Sequence, residues 1–152
     1  MRISMAVICI ALLLSTTALA KDKKIQRADL PAAVEKAVAA HSQGATIRGF
    51  SGEKGNGQTY YEAEMTVSGH SKDISFDADG KVVEIEEQVA LDSLSAAVKE
   101  GLQAKAGAGK IVKVESITKH DKLVAYEAKV QSAGKKSEIQ VGPDGKPLDH
   151  EE

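Results

Sequence analysis

The chain has 152 residues, a formal charge of −2 and one cysteine, Cys9. Twenty basic against 22 acidic residues give a charge of mixed sign, which argues against nucleic acid and against an anionic membrane surface as partners. A single cysteine excludes a disulfide framework and a thiolate metal cluster.

Residues 1–20 read as a secretory signal peptide: Arg2 supplies the positive start, residues 6–14 are apolar, and Ala18-Leu19-Ala20 fits a small-x-small cleavage site. The apolar run is short for a membrane span. The expected product is an exported protein, periplasmic or secreted, beginning at Lys21 with no stable membrane anchor. Residues 21–28 then form a short N-terminal segment.

Leu30, Ala33, Val34, Ala37, Val38 and His41 fall at helical spacing, so a helix with one buried face is predicted. Asp29 and Pro31 suit its start and Gly44 its stop. The period then drops to two. A first strand is predicted over 45–51 and a hairpin tip at Gly55-Asn56-Gly57. A second strand follows, in which Tyr61, Ala63, Met65 and Val67 alternate with Tyr60, Glu62, Glu64 and Thr66. After a turn over 68–72 come Ile74 and Phe76, a tight turn over 77–80 and a last strand over 82–86. Residues 86–93 lack glycine and proline, so they do not read as a flexible linker.

The same order then returns. Leu30-Pro31-Ala32-Ala33-Val34 reappears 64 residues later as Leu94-Ser95-Ala96-Ala97-Val98. Tyr61-Glu62-Ala63 and Asp79-Gly80-Lys81 reappear 65 residues later as Tyr126-Glu127-Ala128 and Asp144-Gly145-Lys146. This predicts two copies of a small unit, at 29–89 and 92–149, with Ser93 or Asp92 as the second helix cap and Gly107 as its stop. A unit of roughly 60 residues buries a marginal core alone. The predicted fold class is therefore α+β: two tandem helix-plus-antiparallel-sheet repeats forming one sheet, with both helices packed on one face. The other face is expected to carry Arg48, Glu62, Glu64, Asp73, Lys113, Glu127, Lys129 and Glu138, a mixed charge.

The residues Leu94-Ser95-Ala96-Ala97-Val98, Gly109 to Glu115, Leu123 to Val130, Ser137 to Val141 and Asp144-Gly145-Lys146 resemble a PepSY domain, and the first copy keeps their order. The tandem arrangement behind a signal peptide is similar to exported bacterial β-lactamase-inhibitor-like proteins. The resemblance implies a helix followed by an antiparallel sheet, a place outside the cytoplasm and inhibition of a peptidase as a role. It supplies no catalytic motif and implies no cofactor.

Candidate sites come from comparing the copies. Asp77 and Asp79 raise a calcium reading, with Gly80 at the sharp turn. The matching second-copy stretch keeps the Asp144-Gly145 turn and loses the other acid, so a hairpin turn is the stronger expectation. The four histidines, His41, His70, His120 and His150, lack metal-ligand spacing. No nucleophile elbow or phosphate loop is present, so no enzyme is expected. Taken at an offset of 65, Phe50 matches Glu115 and Tyr60 matches Ala125. Phe50 and Tyr60 are thus expected as aromatics on the open face of one copy, flanked by Arg48 and Glu62. Exposed aromatics are favoured anchors for a protein partner; a cross-strand pair that merely covers the sheet is the competing reading. The expected function is a non-catalytic exported binding module that occludes a protein of the cell envelope, such as a peptidase. A small-ligand or calcium sensor and a structural envelope component without a tight partner are the alternatives.

Overall fold

The computed structural model describes residues 23–152 apart from Asn56. The expected signal peptide lies outside these residues. The described chain forms one open antiparallel sheet of eight strands with two helices, an α+β fold. The strands are β1 (Lys23–Ile25), β2 (Ala45–Gly55), β3 (Gln58–Val67), β4 (His70–Phe76), β5 (Val82–Gln88), β6 (Lys110–Lys119), β7 (Lys122–Ser132) and β8 (Lys135–Val141). They lie side by side in chain order. Helix α1 (Ala32–His41) precedes β2 and helix α2 (Ala96–Ala106) precedes β6. A 3-10 turn leads into each helix, at Arg27–Asp29 and Leu91–Ser93. The order strand, 3-10 turn, helix and three strands therefore occurs twice. Strand β1, in the stretch expected to be only a leading segment, holds in the first half the place that β5 holds in the second. Strand β5 pairs with both β4 and β6, which makes the sheet continuous.

Both helices pack on the same sheet face. Val34 and Val38 of α1 join Phe50, Ala63, Met65, Ile74 and Phe76 in one core. Leu94, and Val98 and Leu102 of α2, join Val114, Ala128 and Val141 in a second. Ile85 packs against the first core and lies opposite both Ile74 and Thr118, so the register carries one face across the seam.

The helix starts differ in detail from expectation. Ser95, not Ser93 or Asp92, caps α2: its hydroxyl accepts from the Val98 N–H at 3.3 Å. Asp29 serves the 3-10 turn instead, accepting from the Gln26 N–H, and Pro31 stands at the α1 cap position. The extra turn displaces each cap because Leu30 and Leu94 are still extended. The recurring Asp-Gly turns press on the helix starts. A Cβ on Gly80 would collide with the Ala33 carbonyl, and one on Gly145 with the Ala97 carbonyl. Both glycines also hold positive φ, near +80°, so the repeated glycine is required twice over.

Candidate functional site

The face away from the helices carries the charges. Alternation along β3, β4 and β5 brings Glu62, Glu64, Asp73, Glu84 and Glu86 to this face. Across β6 to β8 it brings Lys113, Glu115, Lys119, Glu127, Lys129 and Glu138. The β3–β5 half is thus acidic and the β6–β8 half is mixed with lysine. Glu53, Glu62, Asp73, Ser75, Glu84 and Glu86 line a shallow groove of about 150 Å³.

Arg48 and Glu62 lie at this face as expected. Arg48 is the extra residue of a β-bulge between Ile47 and Gly49. Its guanidinium reaches Asp73 Oδ1 at 2.7 Å and Glu64 at 3.9 Å, and donates to the Met65 carbonyl. Glu62 accepts from the Ser51 hydroxyl at 3.2 Å. Tyr60 is half-buried on the same face, opposite Glu53, with its ring beside Gly55 and its hydroxyl on Gln58 Oε1 at 3.2 Å.

Phe50 is different, and its expected exposure is corrected. It is 7% exposed and belongs to the α1 core. The Arg48 bulge inserts one residue, so Ile47 and Phe50 face the same side although an odd number of positions separates them. The same bulge occurs at Val112, between Ile111 and Lys113. Phe50 opposes Ala63 as Val114 opposes Ala128, so its true counterpart is Val114, a core residue. The inserted residue falls later, between Glu53 and Tyr60. Phe50 and Tyr60 consequently occupy opposite faces and do not pair.

The calcium candidates are turn residues. Asp77 Oδ1 accepts from the N–H groups of Asp79 and Lys81, at 3.0 and 2.9 Å, which closes an Asx turn. Among the described residues a carboxylate triad occurs elsewhere, at Asp73, Glu86 and Glu115, with one oxygen from each within 4.8 Å of the others. Glu115 is 2% exposed, pairs with Lys113 and with Lys129 at 3.7 Å, and accepts from Ser71 Oγ. Asp73 is held by Arg48 and by the Met65 N–H. The chain's own cations thus occupy two of the three carboxylates. Glu86 stands apart: no ion pair reaches it among the described residues. The carboxylates of Asp73 and Glu115 each bring an oxygen within 4.8 Å of its own, and Glu84, Glu127 and Glu115 add unfavourable negative charge. Burial, reinforced by those carboxylates, pushes its pKa up to about 8. Burial likewise raises Asp73 and Glu127. Lys129 is lowered by burial but raised further by Glu115 and Glu138, and ends above its ordinary value.

Sequence reading placed Asp73, Glu127 and Lys129 on this face but missed Glu84, Glu86 and Glu115. The signal for the first two was the alternation Glu84-Ile85-Glu86 in β5. The signal for Glu115 was its place two residues after Lys113 in β6. Two apolar residues, Ile117 and Ala125, also lie on this face and are buried. The C-terminal residue crosses beside them: the Glu152 N–H donates to Gln140 Oε1 at 2.8 Å and its carboxylate reaches Lys119 at 3.4 Å.

No family model matches this sequence, and no curated protein matches it. Solved structures do. The fold is similar to that of DUF2874 and BLIP-like proteins of Bacteroides. A protein assigned to the periplasm of Bacteroides eggerthii aligns with a TM-score of 0.62 at 21% identity, over 78% of this chain and 86% of its own. A DUF2874 family protein of Bacteroides ovatus gives 0.58 at 20%, over 78% and 84%. A BLIP-like protein of Bacteroides fragilis gives 0.54 at 21%, over 76% and 81%.

Proposed function

We propose that this protein is a non-catalytic periplasmic binding module, built from two tandem PepSY-like units, that docks a basic protein surface on its open sheet face. The carrying observation is Glu86, half-buried among carboxylates with no ion pair among the described residues, in a groove on the face that neither helix covers. A lysine or arginine from a partner, laid into that groove, supplies the missing positive charge and lets Glu86 ionise. Tyr60, opposite the groove residue Glu53, offers a half-exposed aromatic for the same partner. The periplasmic description of one structural neighbour supports export and the BLIP-like description of another supports a binding role; an envelope protein such as a peptidase, as the PepSY resemblance implies, is the proposed target.

The test is affinity capture from a periplasmic extract on the wild-type protein and on a Tyr60→Ser/Glu62→Lys/Glu86→Lys variant, with circular dichroism showing that the variant is folded. A partner retained by the wild type and lost by the variant is the expected result. Equal retention by both, or capture only of acidic proteins, overturns the reading.

A further inference from the structure

Strand β4 is paired on both sides, by β3 and by β5. Strand β8 holds the same place in the second half: it follows a turn with positive φ at Ala133-Gly134, as β4 follows Ser68-Gly69, and Ala128 opposes Ile139 as Ala63 opposes Ile74. Yet among the described residues only β7 pairs with β8. The stretch that corresponds to β5 begins with Pro147, which lacks an N–H, and residues 147–152 form no strand. We propose that the outer edge of β8 accepts an extended segment of another polypeptide, one with an apolar side chain opposite Ile139 and acidic side chains opposite Lys136 and Lys135. The inference rests on the correspondence of the two halves.

The first half shows how such a strand sits. Ile85 lies opposite Ile74, Glu84 opposite Ser75 and Glu87 opposite Lys72, and the Ser71 N–H donates to Gln88 Oε1. Ser71, Asp73 and Ser75 correspond to Lys136, Glu138 and Gln140. In the second half one outward group already has a substitute partner: Lys105 Nζ donates to the Gln140 carbonyl at 2.9 Å. His41, in the equivalent place on α1, packs against Phe76 instead, with ring centroids 5.9 Å apart and the planes tilted by 59°, and β5 occupies that edge. A lysine therefore stands in for one bond of the absent strand.

The chemistry of the occupant follows from the edge. Lys135 and Lys136 are exposed, and Lys105 is adjacent, whereas Glu138 is already paired with Lys129 at 3.2 Å. Acidic groups are thus favoured at the Lys135 end and disfavoured opposite Glu138. A hollow of about 480 Å³ spans β6 to β8, lined by Val112, Lys129, Val130, Lys136, Ser137 and Glu138, and reaches the edge strand at the last three of these. Main-chain bonds supply the pairing and the lysines the selectivity.

The probe is an acetylated peptide, Val-Val-Thr-Ile-Thr-Ser-Glu-Glu, titrated into the ¹⁵N-labelled protein and followed by NMR. Shifts should concentrate on the amides of Lys136, Glu138 and Gln140. A control peptide ending in Lys-Lys should bind at least about tenfold more weakly, the effect of two reversed ion pairs. Glu138→Pro, which removes an outward N–H, should abolish binding, and Lys135→Glu/Lys136→Glu should transfer preference to the control peptide. Absence of shifts at β8, equal binding of both peptides, or a concentration-dependent dimer that competes with the peptide overturns the proposal. Shifts confined to Glu62, Glu84 and Glu86 do so as well, and would favour the open face. The Tyr60→Ser/Glu62→Lys/Glu86→Lys variant should still take the peptide, which separates the two sites.

Discussion

Glu86 ties the electrostatics of the sheet to its stability. Its pKa stands near 8 in the fold and near 4.5 when unfolded, so the folded state keeps a proton that the unfolded chain releases between those values. Its contribution is therefore fully present below pH 4.5 and is lost as pH rises through 8. Asp73 and Glu127 are shifted in the same direction. Urea midpoints measured at pH 5, 7 and 9 should fall with pH, by up to about 1 kcal/mol per pH unit in the window of Glu86. Glu86→Gln should flatten that fall and be the more stable form at pH 9. A second residue-scale expectation concerns Phe50. Because the bulge turns it into the α1 core, Phe50→Ser should destabilise the fold by about 3–5 kcal/mol. An exposed binding aromatic would instead leave the melting temperature unchanged, so thermal unfolding separates the two assignments.

The elements were legible wherever one period ran unbroken. Helical spacing located both helices, and alternation located the strands that carry Tyr61 to Val67 and Tyr126 to Val130. Failure came where a single residue changes phase. A bulge at Arg48 or Val112 leaves no mark in composition, yet it reverses the face of everything beyond it. Comparing the copies at a fixed offset then matched Phe50 with Glu115 rather than Val114. The Asp-Gly turns were legible as turns, but their second task was not: each glycine allows the turn to touch a helix start. Gly145→Ala should cost about 3 kcal/mol, combining a positive φ with a backbone overlap, and loosen α2. Gly134→Ala serves as the comparison: it also has positive φ but has nothing within 4 Å, and should cost only about 1 kcal/mol. Denaturant melts of the two variants measure the difference.

At the scale of the molecule, β5 decides how the halves behave. Among the described residues it is the one strand that joins the halves by pairing on both edges, with Ile85 packed against the first core. The polar face reinforces the seam: Ser71 of β4 donates to Gln88 of β5 and to Glu115 of β6. The absence of glycine and proline between β5 and α2 made a continuous sheet legible, but not which half would own the strand. Each half without the other presents a small core and an open sheet edge, so neither is expected to be strongly stable alone. The intact protein should therefore unfold in one transition, with far-UV circular dichroism and NMR signals of both cores changing together. Ile85→Pro attacks the seam directly, since proline in a central strand removes a ladder bond and strains the pairing on either side. It should split the melt in two, with the Phe76 signals of the first core lost at lower denaturant than the Leu102 signals of the second. The first core loses Ile85 and the pairing of its outer strand, whereas the second keeps β6 to β8 beneath α2. A variant that still melts in a single transition would mean that the cores communicate by another route than β5.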